Sequence, residues 1–168
     1  MSETSILKKR RLRLDEAKGY SEIWELVKDT AKAGLERHRV GMMLFLDDLP
    51  IQLGAYHPVG TNNIILNRRL VQIVEASTES QRLVNAFVYI LLLHEYIHAL
   101  GYIREDETRE LVYRVSKKSF GQDHIVSKLA RTSPWALLKG VPLSHIEAPK
   151  RAIEIVKDFE KSNQKYII

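Results

Sequence analysis

Residues 91–101 read LLLHEYIHALG and set two histidines, His94 and His98, and one glutamate, Glu95, into an otherwise oily stretch. On a helix, residues four apart lie one turn above each other on the same face, so His94 and His98 can aim both imidazoles at one point about 2 Å from each nitrogen. That geometry suits Zn²⁺. Glu95 is rotated by about 100° from His94 and stays beside the point without being required as a ligand, placed to take a proton from an activated water. As plain core residues the two histidines would be polar groups in an apolar wall.

The flanks favour the helix. Phe87, Ile90 and Leu91 precede the motif, Thr78 with Gln81 forms a capping-box pattern in front of QRLVNAFVYILLLHEYIHAL, and Gly101 is a natural stop, so a long buried helix is expected over residues 79–100. Upstream, SEIWELVKDTAKAGLERHRVG puts Ile23, Trp24, Val27, Ala31 and Leu35 on one stripe, a helix from a Ser21 cap to Gly41. GMMLFLDD, IQLGAYHP and NNIILN between them read as three short strands, with Gly54 as a bulge or close approach inside the second. A short helix is expected over residues 67–75. Downstream, Asp106 is expected to cap a helix through Ser119, Asp123 one across HIVSKLAR, Ser133-Pro134 to start another turn, and residues 149–161 to form a last helix striped by Ile153, Val156 and Phe159. The expected fold is therefore α+β, with an N-terminal helix, a small three-stranded mixed sheet, the long motif helix and C-terminal helices.

The chain has 168 residues and 45% hydrophobic content, enough for one ordinary core. We expect residues 1–20 as a basic, flexible arm and residues 21–168 as a single domain. With no cysteine, disulfides and thiolate metal sites are excluded, so any metal sits on His, Asp or Glu. The longest apolar run, Ala86 to Leu93, falls far below the roughly 20 residues that span a bilayer, and no apolar segment follows the basic N-terminus. A soluble, cytoplasmic protein without membrane contact is expected. The formal charge is +5, and Lys8, Lys9, Arg10, Arg11 and Arg13 cluster within six positions. That cluster offers at most a weak nucleic-acid contact, since no aromatics are interleaved with it.

Two histidines are insufficient, because catalytic zinc usually has three protein ligands and one open position. Candidates for the third are Glu105, Asp106, Glu107, Glu110 and His124. In an antiparallel hairpin with its midpoint near residue 103, the first turns of the second helix face His98 and His94, which favours Glu107 and Glu110. Glu107 precedes Leu111 by four and joins the stripe Leu111, Val112, Val115, whereas Glu110 precedes Arg114 by four and has a surface partner. Glu107 is the expected third ligand, with His124 the alternative if the second helix splays away. His38 and His145 lack partners at ligand spacing and read as surface residues.

On His94, Glu95 and His98, and on the order helix, three strands, motif helix across residues 21–120, the chain resembles the zincin metallopeptidases, above all the small single-domain minimal glutamate-zincins and the SprT-like proteins. A minimal glutamate-zincin would use Glu107 and a SprT-like protein His124. The metzincin pattern HExxHxxGxxH fails at its last position, which is Arg104, and peptide deformylases need a cysteine ligand. The resemblance implies a zinc-dependent hydrolase acting on a peptide or protein, with Glu95 as the base. It makes residues 51–56 or 63–67 the edge strand along which an extended peptide adds. Tyr56, His57, Tyr102 and Tyr113 are the candidates for the oxyanion donor. The rival reading is a nucleic-acid-associated protein with a structural metal, or a peptidase recruited to nucleic acid by its basic arm.

Overall fold

The computed structural model of the chain describes residues 1–143 and 148–160. In chain order it contains α1 (Glu3–Asp15), α2 (Tyr20–Leu35), β1 (Met43–Asp47), β2 (Ala55–Tyr56), β3 (Asn63–Asn67), α3 (Arg68–Thr78), α4 (Gln81–Ala99), α5 (Glu105–Phe120), α6 (Ile125–Arg131), a 3₁₀ helix (Pro134–Leu138) and β4 (Glu154–Ile155). The fold class is α+β. The sheet is mixed, in the order β2-β3-β1-β4, with β1 parallel to β3 in the register Leu44 to Ile64 and both outer strands antiparallel to their neighbours. Leu44 and Leu46 on β1, with Ile64 and Leu66 on β3, point into one hydrophobic cluster with α2, α3, α4 and α5. Among the described residues no helix is long and apolar enough to cross a membrane.

The motif helix α4 is the hub. Val84 to Leu93 is buried throughout, and Tyr96 and Ile97 carry the buried face past the histidines. Trp24 meets the Tyr96 ring edge-on at 4.9 Å and stacks on Phe159 at 4.8 Å, so the side of α4 opposite the histidines is locked to α2. The Tyr96 hydroxyl accepts from the Arg39 N–H at 2.6 Å, which anchors the segment after α2. This is why α2 ends at Leu35 with Glu36 left-handed (φ 56), and not at Gly41. Its start also differs: Gly19, without a side-chain bond, replaces Ser21 as cap.

Three further expectations are corrected. Residues 1–20 are not an arm: Ser2 caps α1, Leu14 is fully buried, and the Asn85 side-chain amide donates to the carbonyls of Leu14 (2.8 Å) and Ala17 (2.9 Å). A buried amide in an apolar helix needs such acceptors, and the end of α1 supplies them. Residues 149–160 do not form a helix. The three-residue spacing of Ile153, Val156 and Phe159 is helical, but the free edge of β1 takes up β4, with Val156 N–H donating to the Leu44 carbonyl at 2.9 Å. The sheet thus has four strands, not three. The helix caps shift as well: Ser80, not Thr78, caps α4; Arg104, not Asp106, precedes α5; and the His124 Nδ1, not Asp123, caps α6 by accepting the Val126 N–H.

Candidate metal centre

His94 and His98 sit on the solvent side of the last turn of α4, one turn apart, with ring centroids 4.9 Å apart. Leu100, Gly101 and Tyr102 then reverse the chain. Gly101 takes φ 109, a conformation that favours glycine, and the Tyr102 N–H returns to the Ile97 carbonyl at 3.3 Å. This tight return sets the first residue of α5, Glu105, over the histidines. One carboxylate oxygen of Glu105 lies 3.0 Å from His94 Nε2 and the other 2.8 Å from His98 Nε2.

Of the five third-ligand candidates, Glu105 is therefore the one brought to both histidines. Glu107, the expected ligand, is exposed and stands apart from that group. Asp106 pairs with Arg104 at the surface. His124 is buried at the far end of α5, stacked on Phe120 and 3.7 Å from Asp15. The inner stripe of α5 begins at buried Thr108 and runs through Leu111, Val112 and Val115. Glu105 stands one turn before Thr108 and two before Val112. Treating Thr108 as an inward residue would have pointed to Glu105.

His94, His98 and Glu105 form a group that could hold a metal ion. A tetrahedral ion with bonds of about 2 Å separates its ligand atoms by about 3.3 Å, a few tenths more than these imidazole–carboxylate distances. The Nδ1–H of His98 donates to the Tyr102 carbonyl at 2.7 Å. A carbonyl only accepts, so Nδ1 of His98 carries a proton, which leaves Nε2 as the ring atom that faces the carboxylate and can serve as a ligand. Burial holds His94 below its ordinary pKa, with Glu105 pulling the other way, which keeps the ring neutral and able to ligate. For Glu105, burial acts to raise the carboxyl, but the two histidines outweigh it and hold it below the usual carboxylate range.

Glu95 points away from solvent and is 7% exposed. Burial pushes its carboxyl up to about 7, while His98 and the backbone N–H of His57 draw it down. A carboxylate near that value accepts protons readily at neutral pH. Glu95 and His94 share a cleft of about 700 Å³ with Gln52, Leu53, Gly54 and Ala55 on one wall and α5 on the other. Gly54 has a steric reason to be glycine: a Cβ there would meet Leu91 Cδ2 at 2.9 Å. Of the four oxyanion-donor candidates, only Tyr113 lines this cleft. Tyr102 packs under Arg37, and the Nδ1–H of His57 donates to the Asn63 carbonyl at 2.8 Å. Tyr56 is exposed on β2. His38 is exposed as expected, and His145 lies outside the described residues.

No protein-family model, curated protein or solved structure matches this chain.

Proposed function

We propose that the protein is a zinc-dependent peptidase of zincin-like design, with His94, His98 and Glu105 as the metal ligands and Glu95 as the general base. The observation that carries this reading is the convergence of both Nε2 atoms on the two oxygens of a single carboxylate, at the mouth of a cleft that also holds a buried glutamate. Zinc, when bound, would supply a Lewis acid that activates water and polarises a carbonyl. Glu95 takes the proton of the water that attacks the scissile carbon, and hands it to the amine nitrogen as the C–N bond breaks. The Tyr113 hydroxyl, which has no hydrogen-bond partner among the described residues, donates to the oxyanion that develops.

The substrate side of the reading rests on β2. It is an outer strand paired only with β3, and its first residue, Ala55, borders the cleft together with the preceding Gln52 to Gly54, so an extended peptide can add alongside it. The test is direct. Purified full-length chain is assayed for zinc by elemental analysis, and the zinc-loaded protein is incubated with a tryptic peptide mixture followed by mass spectrometry. Zinc near one per chain with new peptide ends supports the proposal. A folded chain that takes up no zinc, or a loaded one that cuts nothing, contradicts it.

A further inference from the structure

Beyond the histidines the cleft continues between α5 and the end of α6. Its outer half is lined by Arg109 and Tyr113 on α5, Arg131 at the end of α6, and Trp135 in the 3₁₀ helix. Arg109 follows Glu105 by one turn and lies close enough to His94 for its charge to oppose protonation of that ring. Among the described residues neither Arg109 nor Arg131 makes a hydrogen bond or an ion pair, whereas Arg13, Arg39, Arg68 and Arg151 are all engaged. The carboxylates of the cavity do not neutralise the pair. Glu95 is a buried residue of α4, Glu105 is held by the histidines, and Glu110 alone remains on that wall.

Two guanidinium groups from separate elements line one cleft and have no internal partners among the described residues, a pairing that suits an oxyanion with two equivalent oxygens. Trp135 is half-buried beside them and offers an apolar plane for the stem that carries such a group. We propose that the outer half of the cleft is a subsite for a peptide carboxylate, bound by Arg109 and Arg131 and flanked by Trp135. The carboxylate is either an Asp or Glu side chain or the free C-terminus, which share this chemistry. The proposal rests on the peptidase reading for its peptide, but its binding test needs no turnover.

The chain has two tryptophans, and Trp24 is fully buried, so a fluorescence change on titration reports on Trp135. The zinc-loaded Glu95→Gln protein is titrated with three octapeptides of alanine: one capped at both ends with a central Glu, its Gln counterpart, and one with a free C-terminal carboxylate. A carboxylate peptide should bind about tenfold more tightly than the Gln peptide, and which of the two does so identifies the source. The advantage should vanish in Arg109→Gln/Arg131→Gln, grow in Glu110→Gln, and survive in Arg114→Gln, which lies outside the cavity. Equal binding of all three peptides, or a preference that persists without both arginines, overturns the subsite. Carboxylate-selective binding by a chain that cleaves no peptide sustains the subsite and removes the peptidase reading. Cleavage indifferent to charge does the reverse.

Discussion

The His98 ring donates its Nδ1–H to the Tyr102 carbonyl at 2.7 Å, and the Thr108 hydroxyl, which donates to the Arg104 carbonyl at 2.8 Å, lies 3.3 Å from that same Tyr102 oxygen. The turn that ends α4 thereby orients a ligand residue and ties it to the helix that supplies Glu105. Partners of this kind fix the tautomer and aim of a metal-binding imidazole. The first prediction follows. His94→Ala or His98→Ala should leave no zinc after purification, and Glu105→Ala should weaken zinc affinity by about one to two orders of magnitude. Glu107→Ala and His124→Ala should bind zinc as the parent does. Competition titrations with a chromophoric chelator measure all five, and a silent Glu105→Ala would remove the ligand assignment.

Glu95→Gln keeps the shape of the side chain and cannot take a proton. It should retain zinc at the parental level and lose about 10²- to 10⁴-fold in peptide cleavage, the usual worth of a general base. Loss of zinc together with activity would instead make Glu95 a ligand or a structural residue.

Tyr113→Phe removes one hydroxyl from the cleft without altering the α5 backbone. The expected effect is a fall of about 10²-fold in kcat with KM nearly unchanged, since a donor to the oxyanion acts in the transition state alone. Tyr56→Phe and Tyr102→Phe serve as comparisons and should be neutral. If KM rises while kcat holds, the hydroxyl binds substrate in the ground state.

The motif helix was legible because apolar residues on every face of Val84 to Leu93 are a strong local signal, and a helix fixes the relation of His94 to His98. Strands β1, β2 and β3 were legible for the same local reason. Glu105 was not, because its placement depends on the reversal at Gly101 and on which face of α5 is inward, and Thr108 is a weak apolar marker. The docking of α1 depends on Asn85, 68 or more positions away from its acceptors in sequence, and β4 exists because β1 offers an unpaired edge. These are tertiary contacts, and single-residue propensities carry no trace of them.

Asp48 provides a test by pH. Its side chain is fully buried, and Arg151, then Arg68, hold its carboxyl well below the usual carboxylate range. A depressed carboxylate stabilises the fold above its unfolded value, about 4, and the contribution is lost as pH falls through the lower folded value. Asp48→Asn should therefore lower the thermal midpoint by several degrees at pH 7, because Arg68 and Arg151 lose their shared buried carboxylate and Arg68 keeps only the exposed Glu154 and the Ala152 carbonyl. The gap between the two proteins should narrow below about pH 4. A constant gap from pH 7 to pH 2 would show that Asp48 acts by shape and not by charge.

The last prediction concerns the contact between the motif helix and Gly54, the residue just before β2. A Cβ at Gly54 would stand 2.9 Å from Leu91 Cδ2 and 3.4 Å from Cδ1, so Gly54→Ala requires either the leucine tip or the strand to move. Leu91 lies one turn before His94 and borders the cleft, which gives its tip somewhere to go. The stability loss should thus be modest, about 1 kcal/mol, as for one added methyl in a packed region. Either movement intrudes on the groove between β2 and Leu91, so KM for peptide should rise while zinc content stays at the parental value. Leu91→Ala alone opens a gap and also costs stability. In the double variant Gly54→Ala/Leu91→Ala the new methyl occupies that gap, and the two losses should combine to less than their sum. Additive losses in a double-mutant cycle, read by thermal unfolding, would show that the glycine serves the backbone of β2 and not the close approach of the helix.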